Sequence, residues 1–298
     1  MAGSNSNSGS GPTSASASNP TSNPASASAS ASASASTPKT APPEAKADPL
    51  YVVRRARSLG INSVIVAVSG GKDSVATLDI CSKHFQTVHA YFMYYVRDLT
   101  YQEKYLAYLE RRYSLSIARV PHWSLTQMYR DCAFRHGTQQ SRTIKQLKWR
   151  HVDSAMRLRF KTHYVATGEK FVDSMERNAQ IVQAGGISES RGRIWPIGWW
   201  THYSVDTYLA SQRIMLPPDY RLTRGGSLGL LDVESIVPIK ENFPDDYVKI
   251  LRVFPKIAAQ IVRHESMQRE YRRKQAEAER LYQQEIQQKR DRFDGKES

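Results

Sequence analysis

Val66-Ala67-Val68-Ser69-Gly70-Gly71-Lys72-Asp73-Ser74 joins an apolar, β-branched run to paired glycines, a lysine and an acid. It ends the run Ile61–Val68, in which Val64, Ile65, Val66 and Val68 are apolar on both faces, as in a strand covered from two sides. After the paired glycines, Val75, Leu78 and Ile80 stand at inward positions of a helix expected over 73–84. Two glycines between a strand and a helix let the backbone turn tightly and bring successive N–H groups toward an anion. The helix N-terminus adds partial positive charge and unpaired donors. Ser69 and Ser74 offer hydroxyls to phosphate oxygens, and Lys72 offers a neutralising charge. The loop therefore reads as a pyrophosphate cradle. It is not a Walker A loop, because Lys72 directly follows the glycines.

Working outward, Asp48-Pro49 reads as a helix start running to Ser58, closed by Gly60. Strands are expected at Thr87–Tyr95, Leu115–Val120 and His163–Thr167. Helices are expected at Tyr101–Tyr113, Leu125–Ala133, Thr143–Phe160, Asp173–Gln183 and Pro244–Val262, with Arg193–Gly198 continuing the pattern more weakly. Strands alternating with helices at this spacing predict an α/β fold: a parallel sheet with helices on both faces. The end of the chain, His264 to Phe293, is rich in Glu, Arg, Lys and Gln. It predicts a C-terminal helical extension, exposed, with a thin apolar stripe of Met267, Tyr271, Ala278, Leu281 and Tyr282. A second copy pairing along that stripe, giving a homo-oligomer, is the alternative to a solvated helix.

Residues 1–48 are Ser, Ala, Asn, Pro, Thr and Gly apart from Met1, Lys39, Glu44, Lys46 and Asp48, with too little apolar bulk to offset the entropy of ordering them. No stretch approaches the roughly 18–20 apolar residues of a membrane span, and the N-terminus lacks the basic and apolar blocks of a secretory signal. Cys81 and Cys132 are the two cysteines, too few for a disulfide framework or a four-Cys zinc site. A reducing, cytoplasmic setting is the expectation. His122, His136, His151, His163 and His202 show no metal-ligand spacing, so no dedicated metal site is expected.

The net charge of +14 is concentrated: residues 49–163 hold 19 Lys and Arg against 7 Asp and Glu. The densest part is Arg142, Lys145, Lys148, Arg150, Arg157, Arg159 and Lys161, opposed only by Asp153. Such a field favours an anionic partner, whether nucleotide phosphates, sulfate or nucleic acid bound through residues 142–161. A solvated helix face is the plainer reading of each residue singly.

The stretch Val66–Ser74 resembles the PP-loop of the adenine nucleotide alpha-hydrolase-like superfamily. Gly168-Glu169-Lys170-Phe171-Val172-Asp173-Ser174-Met175-Glu176-Arg177 is similar to the second motif of its phosphoadenosine phosphosulfate (PAPS) reductase-like branch. Trp195-Pro196-Ile197, Trp200-Thr201, Val205-Asp206, Tyr208-Leu209 and Pro218-Asp219-Tyr220 resemble the branch's third region. The resemblance covers roughly 61–226 and implies three parts: the tail 1–48, a PP-loop domain 49–263 and the charged helix 264–298. It implies that Ser69, Gly70, Gly71, Lys72, Asp73 and Ser74 hold the phosphates of ATP or PAPS. Gly168, Lys170, Ser174 and Arg177 would complete the site, with Lys170 and Arg177 reaching the anionic end of the substrate. Lys72, Asp73 and Arg177 are the candidate catalytic residues; Asp73 serves either as a helix cap or on a Mg2+ ion travelling with the phosphates. Similar cysteine-poor proteins occur in bacteriophage genomes, which adds a bacterial host's cytoplasm to the expected settings.

Three departures shape the functional expectation. PAPS reductases use a cysteine near the C-terminus as nucleophile toward sulfur, and here no Cys follows Cys132. Where relatives carry paired cysteines for an iron–sulfur cluster, this chain has Arg224-Gly225-Gly226-Ser227-Leu228-Gly229-Leu230, so no such cluster is expected. The branch's Asp-Thr-Gly after the second strand is replaced by Tyr94-Tyr95-Val96-Arg97-Asp98. Cys81 falls among core positions of its helix, and Cys132 beside Asp131 is the remaining thiol. The leading expectation is an enzyme that cleaves or transfers at the α-phosphate of an adenylyl nucleotide, releases pyrophosphate, and adenylates an unknown acceptor. PAPS reduction with an external or Cys132 thiol is the second, and a non-catalytic nucleotide- or nucleic-acid-binding module the third. Trp195, Trp199 and Trp200 read as core, with stacking on a base as the alternative.

Overall fold

The computed structural model describes residues 44–45, 48–217, 220 and 233–294. Ser63–Val68 (β1) is central, with Val64, Ile65 and Val66 fully buried. It pairs in parallel with Thr87–Tyr94 (β2) on one side and Tyr164–Ala166 (β4) on the other. Ile117–Pro121 (β3) extends the sheet beyond β2 in parallel. Arg193–Ile194 (β6) extends it beyond β4 and closes an antiparallel hairpin with Ile187–Ser188 (β5). The order is thus β3-β2-β1-β4-β6-β5. The chain leaves β1 in one direction and returns to its other side, so a crevice opens above the C-terminal ends of β1 and β4. In open α/β sheets such a switch point is where ligands bind.

Helices cover both faces. Tyr51–Ser58 (α1), Lys72–His84 (α2) and Thr100–Tyr113 (α3) lie on one. There Val52, Val53, Val75, Leu78, Leu106 and Leu109 pack against Val64, Val66 and Val68. Leu125–Arg130 (α4), a 3₁₀ turn at Gln139–Thr143 and Trp149–Phe160 (α5) lead to the other face, where Val152 and Met156 meet Ile65, Tyr91 and Val165. Alternate residues of β1 thus serve opposite cores, as a strand's two-residue period requires. Met175–Ala184 (α6) and His202–Ser211 (α7) follow, and α7 packs into the α2 side through Val205 and Leu209.

Val233–Asn242 (α8), Pro244–Val253 (α9) and Ile257–Asp294 (α10) form a further cluster. Ile236, Ile239, Ile250, Phe254, Ile257 and Ile261 bury Val96, Leu99 and Leu125, which follow β2 and β3. Asp246, 1 % exposed, fastens it by accepting from the first amides of α3, Thr100 N at 2.8 Å and Tyr101 N at 3.0 Å.

Several sequence boundaries are corrected. The first helix begins at Tyr51, because the Asp48 carboxylate accepts from Leu50 N at 2.9 Å and makes a turn of Asp48–Leu50. The helix from Leu125 stops at Arg130, before left-handed backbone at Cys132 and Phe134. The helix expected from Thr143 begins only at Trp149, since Leu147 N donates away to Thr126 Oγ1 at 2.9 Å. The helix expected over 244–262 breaks at Phe254 (φ −128°, ψ 68°), where Pro255 disfavours helical backbone in the preceding residue. No helix was expected at α8, which carries Pro238 inside it. The backbone of α10 passes 263/264 without a break. What changes there is burial: Ile261 is buried, whereas Met267, Tyr271, Leu281 and Tyr282 are exposed. The Ser/Ala tail before Glu44, Pro218-Asp219 and Arg224–Leu230 lie outside the described residues. Among the described residues no helix is long and apolar enough to cross a membrane.

Candidate functional site

The chain leaves β1 at buried Val68 and turns at Gly70, whose φ of +84° suits glycine. Gly71 is the N-cap of α2, and the first helical bond runs from Val75 N to Gly71 O at 3.1 Å. The amides of Lys72, Asp73 and Ser74 therefore open the helix without a helical acceptor. Ser74, 5 % exposed, is the loop's internal brace. Its hydroxyl donates to Gly71 O at 2.8 Å and accepts from Ser69 N and Ser69 Oγ, both at 3.1 Å. Ser74, expected to donate to a phosphate, here gives its proton to Gly71 O and shapes the turn. Ser69 Oγ also accepts from Gly71 N at 3.3 Å.

The two sequence motifs touch. Gly168, just beyond β4, sits so close to the first turn of α2 that a Cβ there would lie 2.7 Å from Asp73 C and O and 2.8 Å from Ser74 N. Glycine at 168 is a packing requirement. Lys170, 0 % exposed, places its ammonium 2.6 Å from Asp73 Oδ2 and 3.1 Å from Asp173 Oδ1. Lys170, expected to reach the anionic end of the substrate, here lies within ion-pair distance of two carboxylates though without a hydrogen bond to either. Ser174 caps α6 by accepting from Arg177 N at 3.2 Å. Arg177 is half-exposed and faces Glu169 at 3.5 Å and Asp173 at 3.6 Å. Glu169 is itself oriented by Thr167 Oγ1 at 3.1 Å and Trp195 Nε1 at 2.9 Å.

Lys72 points across the loop to α7, where its ammonium donates to both oxygens of Asp206 at 2.8 Å. Burial alone would lower the Lys72 pKa, but the Asp206 carboxylate outweighs it, with Tyr220 adding to the rise, and the net direction is up. Lys72 thus stays charged. A buried clamp fixes α7 in this place: Asp79 of α2 accepts from Tyr208 OH at 2.6 Å, Tyr113 OH at 3.0 Å and Lys83 Nζ at 2.6 Å. Asp206 had been noted only as part of a motif. Its pairing with a lysine 134 residues away carries no local sequence signal.

Asp73, Asp173 and His202 each place one donor atom within 4.8 Å of the others, the spacing of a metal site. The buried Lys170 ammonium lies against both carboxylates, so a three-residue cage does not fit a divalent cation. A single contact does fit: Asp73 Oδ1 is buried and without a hydrogen-bond partner, while Oδ2 faces Lys170. A Mg2+ ion held mainly by phosphates would take that oxygen and neutralise phosphate charge.

Cys81 is fully buried in α2, and burial pushes its thiol pKa far up. Cys132 is half-buried, with Sγ donating to Arg130 O of its own loop at 3.8 Å. Trp195, Trp199 and Trp200 are all buried.

The family model of the phosphoadenosine phosphosulfate reductase domain matches residues 63–222, more than half of the chain and inclusive of every site residue above. The chain belongs to this family. Among solved structures, the PAPS reductase from Candida auris, a phosphate complex, is 17 % identical with a TM-score of 0.40, covering 59 % of this chain and 84 % of that one. The U34-tRNA thiolase NcsA from Methanococcus maripaludis, with its [4Fe-4S] cluster, is 11 % identical with a TM-score of 0.40, covering 70 % and 77 %. The NH3-dependent NAD synthetase from Campylobacter jejuni is 12 % identical with a TM-score of 0.36, covering 72 % and 90 %. These likenesses are distant, and membership rests on the family match. No curated protein matches the chain.

Proposed function

We propose that this member of the PAPS reductase domain family is an adenylyl-transferring enzyme. It binds ATP at Ser69–Ser74, releases pyrophosphate and passes the adenylyl group to an acceptor. The carrying observation is the pairing of an intact anion cradle with thiols unsuited to attack. Cys81 is sealed in the core with a raised pKa, and Cys132, half-buried, stands just after α4, outside the two motifs that meet at the cradle. A thiol nucleophile must ionise, whereas attack on the α-phosphorus needs charge stabilisation, which the loop is built to give. The amides opening α2 would face the phosphates and Lys72 would neutralise the departing pyrophosphate; preorganised charge of this kind is often the largest catalytic term. Arg177, half-exposed at the crevice, would add a second cation, with Mg2+ at Asp73 Oδ1 when present. A reducing cytoplasm, bacterial if the gene is viral, is the setting proposed with these free thiols. The test is release of pyrophosphate together with AMP from Mg-ATP, water serving as the basal acceptor. Lys72→Ala is expected to lower it by about a hundredfold or more, and unchanged release would refute the role given to the loop.

A second reading, a nucleic-acid-binding module, has its own observation. Arg142, Lys145, Lys148, Arg150, Arg159 and Lys161 are exposed, while the one nearby acid, Asp153, is buried and committed to Arg193. Arg157 differs, its guanidinium being tied to His163 O and Arg191 O, each at 2.7 Å. RNA or DNA held by these six exposed cations would dissociate steeply with salt. Binding that is flat with salt would remove this reading.

A further inference from the structure

A groove of about 890 Å³ runs between α3 and α7. Its walls are the rings of Tyr105 and Tyr108 and the side chains of Leu209, Ile214 and Leu216, with Asp206 and Lys104 as its charged residues. The volume is that of a small-molecule site, and mostly apolar walls with few polar groups are the usual make-up of one. The tyrosine hydroxyls are already engaged: Tyr105 OH donates to Met215 O at 2.9 Å, and Tyr108 OH accepts from Met215 N at 3.2 Å. The rings themselves stack at 5.8 Å between centroids, so the wall is preformed. Asp206 joins the groove to the cradle, because its carboxylate is also the partner of Lys72 at the start of α2.

We infer that this groove holds the acceptor and that Asp206 takes its proton. The inference rests on the proposed adenylyl transfer and names that reaction's second substrate by class: a small molecule with an aromatic or otherwise apolar body and a neutral hydroxyl or amine. Phosphates arriving in the cradle compete with Asp206 for Lys72, freeing a half-exposed carboxylate at the junction of groove and loop. The acceptor's oxygen or nitrogen attacks the α-phosphorus. As that bond forms, the bond from the α-phosphorus to the bridging oxygen breaks, its electron pair leaves with pyrophosphate, and the acceptor's proton passes to Asp206. A carboxylate acceptor is already ionised, needs no base and would leave Asp206 without a role, so it falls outside this class.

Tyramine, a ring carrying both a hydroxyl and an amine, is the probe, with benzoate as the carboxylate counterpart. In the full-length protein, tyramine is expected to bind saturably in the presence of saturating ATP and to increase pyrophosphate release. Ala210→Trp, which fills the groove from α7, should weaken tyramine by about tenfold or more. Asp206→Asn should abolish the tyramine-dependent increment in pyrophosphate release. Competition between tyramine and ATP would put the nucleotide's own base in the groove and overturn the assignment. So would benzoate binding as well as tyramine, tyramine failing to bind, or tyramine binding unchanged in Ala210→Trp. Failure of the adenylyl-transfer reading shows separately, without any probe, as no pyrophosphate and no AMP from Mg-ATP with water as the basal acceptor.

Discussion

Replacing Gly168 by alanine tests whether the two motifs of this family act as one packed unit. The added Cβ would stand 2.7 Å from Asp73 C and O and 2.8 Å from Ser74 N, all of them backbone atoms that no side-chain rotation can clear. Ordinary contact begins near 3.4 Å, so β4's end and the first turn of α2 must part by roughly 0.7 Å. Overpacking in a well-filled site costs about 1–3 kcal/mol, and backbone on both sides places this case at the upper end. For a domain of this size about 3 kcal/mol corresponds to a fall of about 6–12 °C in Tm. Gly60→Ala is the control: its φ is +77° with nothing within 4 Å of the new Cβ, so only the left-handed backbone penalty of about 1–2 kcal/mol applies. Thermal unfolding and ATP titration of the two variants should diverge, with Gly168→Ala losing nucleotide affinity beyond its loss of stability because Asp73 and Ser74 belong to the cradle. A Gly168→Ala protein with parental Tm and ATP affinity would refute the reasoning.

Other expectations can be checked with the same preparations. Lys170→Met leaves Asp73 and Asp173 facing each other without their buried cation, and chemical denaturation should show a loss of about 3–5 kcal/mol. His122 is held neutral by burial, its pKa pushed down to about 4 from 6.5. The unfolded chain therefore takes up that proton near pH 6.5 and the folded protein only near about 4. This contribution to stability is full above pH 6.5 and is lost as pH falls toward 4. It should amount to about 1–2 kcal/mol once partial exposure is allowed for, and His122→Asn should flatten this part of the pH–stability curve. Deleting residues 268–298 removes an exposed stretch of α10 and should change stability by less than about 1 kcal/mol. A change in the number of copies per particle on that deletion would instead mark α10 as a contact between copies.

Much of the fold was legible because its signals are local. The β-branched run before Ser69 and the glycines after it announce a buried strand feeding a helix, and the structure places both within a residue or two. Helix ends were less legible where a distant group decides them. Thr126 Oγ1 draws off Leu147 N, and nothing near Thr143 in the chain records that. Pro255 is different, a local breaker whose effect on Phe254 outweighs the apolar periodicity running through it. In the site, the cradle could be read from residue types, but partnerships could not. Lys170 and Arg177 look alike as cations in a motif, yet one is sealed between two carboxylates and the other stands half in solvent. The Lys72–Asp206 pair and the Asp79 clamp that supports it exist only because α7 packs beside α2.

The central claim is that phosphorus, rather than sulfur, is attacked, and that no thiol of this chain takes part. The most direct measurement offers Mg-ATP and PAPS separately to the parent and to a Cys81→Ser, Cys132→Ser double variant, following pyrophosphate and sulfite. The account predicts pyrophosphate from ATP at equal rates in both proteins and no sulfite from PAPS in either. Sulfite released by the parent and lost in the double variant would contradict it.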